Sequence, residues 1–102
     1  MRGFKPLKGR INVKPDDNVI KRKNIISRII DDQMLLLCPE SNRLFRLNKV
    51  GASIWELLDQ HQKVDELINF VGDLYQIEQD NAASDVLTFL NTLLDNKLIR
   101  QA

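Results

Sequence analysis

The stretch Leu47-Asn48-Lys49-Val50-Gly51-Ala52-Ser53-Ile54-Trp55-Glu56-Leu57-Leu58 decides the fold. Leu47 closes an alternating strand, and Asn48 has the short polar side chain that satisfies free N–H groups at a helix start. Val50, Ile54, Leu57 and Leu58 then recur at helical spacing, with Trp55 beside them. A strand therefore turns directly into an amphipathic helix.

Before this junction the sequence predicts a three-stranded sheet. Ile25, Ile26, Ile29 and Ile30 are β-branched and suit a pleated surface, so the first strand begins near Asn24. Asp31-Asp32 reads as a turn, Gln33 to Cys38 as the second strand, and Pro39-Glu40-Ser41-Asn42 as another turn. In the third strand, Arg43 to Leu47, alternation puts Phe45 and Leu47 on one face and Leu44 and Arg46 on the other.

After the junction it predicts three helices. The first runs from about Lys49 to Gln60. The second carries the apolar stripe Val64, Leu67, Ile68, Val71, Leu74 and Tyr75, with Asp65 and Glu66 complementing the dipole in its first turn. Asp80 is the expected N-cap of the third, which buries Ala82, Val86, Phe89, Leu90, Leu93 and Leu94 and stops near Asn96, a residue that tolerates the left-handed conformation. Leu98 and Ile99 then tuck back onto the body. The fold class is α+β, a sheet followed by a three-helix bundle.

A chain of 102 residues holds one small domain. The longest apolar run, Met34 to Cys38, is too short to span a bilayer, and no apolar stretch follows the basic N-terminus as in a secretory signal. A single cysteine, Cys38, fits a reducing compartment. A cytoplasmic protein with no membrane association is expected. Charge is uneven: residues 1–28 hold nine Lys/Arg against two Asp, a net +7, and residues 29–102 hold six against twelve Asp/Glu, a net −6. Residues 1–23, with Pro6, Pro15, Gly3 and Gly9 and no sustained period, read as a basic extended or mobile arm, and residues 24–102 as the domain.

Catalysis needs converging acid, base, nucleophile or metal ligands. Cys38 is the only thiol and His61 the only imidazole, the first in an apolar strand and the second in a polar inter-helix segment. Gly51 and Gly72 stand alone and form no phosphate loop. The expectation is a protein that is not an enzyme, with no metal site and no cofactor of its own.

In this setting the chain resembles the PqqD family, the small proteins associated with pyrroloquinoline quinone synthesis and related peptide-modifying systems. The resemblance covers roughly Asn24 to Ile99. It is carried by Leu47-Asn48, Gly51, Ile54-Trp55 and Leu57-Leu58. Val64-Asp65-Glu66-Leu67-Ile68 with Leu74-Tyr75, and Asp85-Val86 with Phe89-Leu90, Leu93 and Leu98-Ile99, continue it. Lys63 stands where the family often has a threonine, and Asn96 replaces the usual glycine.

The resemblance implies a winged helix-turn-helix-like domain that binds the leader of a ribosomally made precursor peptide and presents it to a modifying enzyme. In the radical-based systems that enzyme is an iron–sulfur protein using S-adenosylmethionine, and the cofactor belongs to it. The physical route is strand addition to an exposed sheet edge. The candidate edge is Arg43, Leu44, Phe45, Arg46 and Leu47, with the third helix as the other wall. By family analogy Val86, Phe89 and Leu93 supply apolar pocket surface; Arg43 and Arg46 meet acidic leader residues and Asp85 a basic one. The helical positions among these also fall on one stripe and belong in a core whether or not a ligand binds.

Two other readings stand beside this one. A winged-helix DNA-binding regulator would use the basic arm on phosphates. Against it, Asp65, Glu66, Asp73, Asp80, Asp85 and Asp95 in the second and third helices face only Lys97. A subunit that only stabilises an enzyme complex is the third reading. A free strand edge allows either a monomer or a weak homodimer.

Overall fold

The computed structural model describes residues 13–102. Five strands and three helices follow in the order β1 (Val19–Lys21), β2 (Ile26–Ile30), β3 (Gln33–Cys38), β4 (Arg43–Leu47), α1 (Lys49–Leu57), α2 (Val64–Tyr75), α3 (Gln79–Asp95) and β5 (Ile99–Gln101). The strands form an antiparallel sheet in the order β2-β3-β4 and a separate antiparallel pair, β1-β5. The expected α+β architecture, a three-stranded sheet and then three helices, is what the chain adopts.

The β2–β3 hairpin closes through Asp31 and Asp32, both left-handed (φ 52° and 65°). Two such residues form the turn whose twist matches antiparallel strands, and a short polar side chain tolerates that backbone. Across the sheet Met34 faces Ile29 on one side and Leu47 on the other, and Leu36 faces Ser27 and Phe45. Met34, Leu36 and Cys38 point into the core, so one face of β3 is buried.

Between β4 and α1 stands Asn48 alone, in extended conformation, its Oδ1 accepting from the Gly51 N–H at 2.8 Å. The core is filled by Ile54, Trp55 and Leu58 of the α1 region, Val64, Leu67, Ile68 and Val71 of α2, and Ala82, Val86, Leu90 and Leu93 of α3. Leu74, placed on the α2 stripe by its spacing, is instead 60% exposed. It lies in the last turn, on the side of α2 that borders an open hollow with Ser53 and Leu57 of α1, while Tyr75 bonds Ser53 through its hydroxyl at 2.9 Å.

Helix ends differ from expectation for local reasons. α1 stops at Leu57, and Asp59 and Gln60 continue as turns with i→i−3 bonds to Glu56 and Leu57. α3 starts two residues early, with extended Glu78 as N-cap, because left-handed Gln76 (φ 53°) reverses the chain in one residue; Asp80 lies in the first turn. At the other end Asn96 is the C-cap, but Lys97 takes the left-handed conformation (φ 62°). The Leu98 N–H bonds the Leu93 carbonyl and the Lys97 N–H the Leu94 carbonyl, the Schellman pattern. Burial of Leu98 against Leu93 fixes this geometry and overrides the preference for Asn at the left-handed position.

The boundary expected at residue 24 falls inside the packed body. Val13 is buried, its N–H donates to Asn91 of α3, and β1 pairs with β5. Residues 13–23 are thus integrated with the domain; the rest of the expected arm lies outside the described residues.

Candidate functional site

β4 is held on one side only. Its register with β3 runs from Cys38↔Arg43 to Met34↔Leu47, and no strand pairs with its far side among the described residues. Every second backbone group along that side is an unpaired donor or acceptor, the condition for strand addition. The turn at Pro39–Asn42 launches the strand, with Asn42 left-handed (φ 56°) and its N–H on the Pro39 carbonyl at 3.3 Å.

Side chains of β4 from Leu44 to Leu47 divide by face as alternation requires, while Arg43, on the Phe45 face, reaches solvent at the sheet's end. Leu47 is buried and Phe45 half-buried, whereas Arg43, Leu44 and Arg46 are exposed, Leu44 at 63%. The Arg43 guanidinium lies 5.1 Å from the Phe45 ring centroid, a cation–π contact that presents its charge beside an apolar surface. At the other end Arg46 and Leu47 border a hollow of about 560 Å³ shared with Asp31, Asp32 and Lys49. Arg46 and the hairpin carboxylates thus line one hollow, with no ion pair between them.

The α3 residues separate into two groups. Val86 and Leu93 are buried at 0% and 2% exposure, so they support the core and present no surface to a ligand. Asp85 is exposed and Phe89, one turn on, is half-buried. These two form the accessible face of α3 among the residues expected there. Phe89 reaches the start of α1: a Cβ added to Gly51 would stand 3.0 Å from Phe89 Cε1 and 3.3 Å from the capping oxygen of Asn48. Gly51 is the residue that lets Phe89 of α3 close onto the start of α1, just after the strand–helix junction.

The remaining chemistry-bearing groups are structural in setting. Cys38 is buried, and hydrogen bonding from the Ser41 side chain, then from the Ser41 backbone, holds its thiol below the usual cysteine range. His61 packs on Phe70, ring centroids 4.5 Å apart, with Nδ1 3.4 Å from Glu66 Oε1. Among the described residues no group of His, Cys, Asp and Glu has the arrangement to hold a metal ion, and no helix is long and apolar enough to cross a membrane.

Sequence reasoning missed the second edge of the sheet. β2 too has no strand on its outer side among the described residues, and all five of its residues are exposed. The signal was present: isoleucines at 25, 26, 29 and 30 do not follow a clean inside–outside alternation.

A protein-family model described as coenzyme PQQ synthesis protein D (PqqD) matches residues 33–99. No curated protein matches the chain. Among solved structures, TbiB1 in complex with the TbiA(beta) leader peptide is similar over 79% of this chain and 94% of that chain, with 26% identity and a TM-score of 0.73. Lasso peptide synthetase B1 complexed with the leader peptide is similar over 81% and 98%, with 26% identity and a TM-score of 0.71. The PqqD truncation of Methylobacterium extorquens PqqCD, a functional and stand-alone recognition element for ribosomally synthesised and post-translationally modified peptides, shares the fold. It aligns over 85% and 93%, with 20% identity and a TM-score of 0.72.

Proposed function

This chain belongs to the PqqD family, and from that premise we propose that it is a non-catalytic carrier acting in the cytoplasm. It binds the leader of a ribosomally made precursor peptide and presents it to a modifying enzyme, of the radical S-adenosylmethionine class by the family pattern. The observation that carries the reading is the side of β4 left unpaired among the described residues, an edge that runs through one capping residue into α1, whose Gly51 lies against Phe89 of α3. The two leader-bound structures with 26% identity support the same ligand class.

In this reading the leader pairs its backbone with Arg43–Leu47. Leu44 and Phe45 offer apolar contact along the strand, Phe89 and Asp85 form the facing wall, and Arg43 and Arg46 receive acidic leader residues. Val86, Leu93 and Leu47 hold those groups in place from beneath. Ordering a flexible peptide costs roughly 2–5 kcal/mol of the gross interaction. A short strand addition with a few apolar anchors leaves about −8 kcal/mol, a Kd on the order of micromolar. Such affinity suits a carrier that hands its cargo on. The acidic α2 and α3 surfaces oppose the DNA-binding alternative by charge.

The test is a titration of the ¹⁵N-labelled chain with synthetic peptides covering the short open reading frames beside its gene. A leader should move the amide resonances of Arg43–Leu47, Asp85 and Phe89. Saturable binding that leaves those resonances unmoved would reject β4 as the site.

A further inference from the structure

We propose that the opposite edge of the sheet, β2 with the basic cleft at its start, is a second docking surface, and that it takes an extended acidic segment of the modifying enzyme. In naming the enzyme as the source, this rests on the carrier reading above.

Among the described residues no strand pairs with the outer side of β2, and all five of its residues are exposed, with Ile26, Ile29 and Ile30 at 41%, 66% and 53%. An apolar edge of this kind invites another strand. Ile26, Arg28 and Ile30 share one face by alternation, and on that face Leu37 and Leu35 of β3 stand opposite Ile26 and Arg28. The face reads apolar, cationic, apolar.

At the Ile26 end the chain bends through left-handed Asn24 (φ 68°), and a cleft of about 660 Å³ opens there. Its apolar lining comes from Ile20, Ile25, Ile26 and Pro39. Lys21, Arg22, Lys23, Lys97 and Arg100 also line it, against Glu40 as the one acid. Lys21 is engaged, 2.9 Å from Asp59 and 4.5 Å from the Trp55 ring centroid. Arg22, Lys23, Lys97 and Arg100 are exposed and have no ion-pair partner among the described residues. Cations gathered from two separate segments, residues 21–23 and 97–100, around an apolar floor make a receptor for carboxylates.

Charge selects the occupant. A second copy of the chain, paired along β2 in full overlap, would set two Arg28 side chains opposite each other, which is destabilising. Residues 1–12 carry Arg2, Lys5, Lys8 and Arg10 and no acid, so their charge is the wrong sign for this cleft. The complement is a foreign strand with a carboxylate opposite Arg28, β-branched neighbours opposite Ile26 and Ile30, and an acidic end entering the cleft. Since β2 and β4 are opposite edges of one sheet, leader and enzyme would be held at once.

The probe is the peptide Val-Thr-Glu-Thr-Val-Glu-Glu-Glu, added to the ¹⁵N-labelled full chain, with a second peptide carrying Lys for each Glu. The acidic probe should move Ile26–Ile30, Arg22, Lys23, Lys97 and Arg100 and leave Arg43–Leu47 in place. Lys23→Glu with Arg28→Glu, both exposed positions, should weaken it about tenfold and transfer binding to the Lys peptide. The same double variant should lower affinity for the modifying enzyme encoded beside the gene about tenfold. Movement at β4 instead, equal response to both probes, unchanged enzyme affinity, or concentration-dependent self-association through β2 would each overturn the proposal. Loss of leader binding at β4 in the wild-type chain with the β2 response intact would count against the carrier reading instead.

Discussion

β4 and β2 are edges of one sheet, five residues each, paired to the same central strand, yet they are held differently. β4 ends on buried Leu47 and passes through one capped residue into α1, so its backbone is fastened to the helical body. β2 buries none of its residues; its isoleucines stand in solvent and its tie to the fold is the β3 ladder and the Asp31–Asp32 turn. Strand register alone does not make an edge rigid. What fastens β4 is the junction that follows it.

Leu47 and Ile29 both face Met34 across the sheet, one from each edge. Leu47→Ala should destabilise the protein by about 2–4 kcal/mol, since it empties a buried site. Ile29→Ala should cost less than about 0.5 kcal/mol, as an exposed position does. Urea denaturation measures both, and equal losses would erase the distinction between the edges. Gly51→Ala acts one step further along the junction. The new methyl group meets Phe89 at 3.0 Å, and the overpacking should cost about 1–2 kcal/mol and displace the Phe89 ring resonances.

Smaller effects sharpen the picture. Asn48→Ala removes the bond to the Gly51 N–H and should cost about 1 kcal/mol by thermal or chemical denaturation, loosening β4 more than β2. Arg46→Glu should weaken an acidic leader by about fivefold, an exposed-charge effect of about 1 kcal/mol, and leave the melting temperature nearly unchanged. Unchanged affinity, read by fluorescence anisotropy, would remove Arg46 from the site. The smallest effect is local: β2 amides should exchange with solvent faster than β4 amides, without any mutation.

Most of the helical body was legible because burial follows spacing there. Val64, Leu67, Ile68 and Val71 recur at helical intervals and all are buried, and Ala82, Val86 and Leu90 repeat the pattern. The third strand was legible for the same reason, its alternation matching the buried and exposed faces of Phe45, Leu47, Leu44 and Arg46. The site was less so. Spacing put Val86 and Leu93 on α3 without saying which side of the stripe meets solvent, and both lie in the core. Leu74 fitted its stripe equally well and is exposed, because periodicity within one helix does not say how far its packed neighbours extend across that face.

Residues close in the chain were enough to give the central sheet, the three helices, the strand-to-helix junction at Asn48 and the apolar faces, but not β1 or β5, whose pairing joins the two ends of the described chain. Tertiary structure alone decided that Val19 pairs with Gln101, that Gly51 yields to Phe89, and that Arg22, Lys23, Lys97 and Arg100 surround one cleft. Those contacts join residues far apart in the chain, and only packing of the shared core brings them within reach.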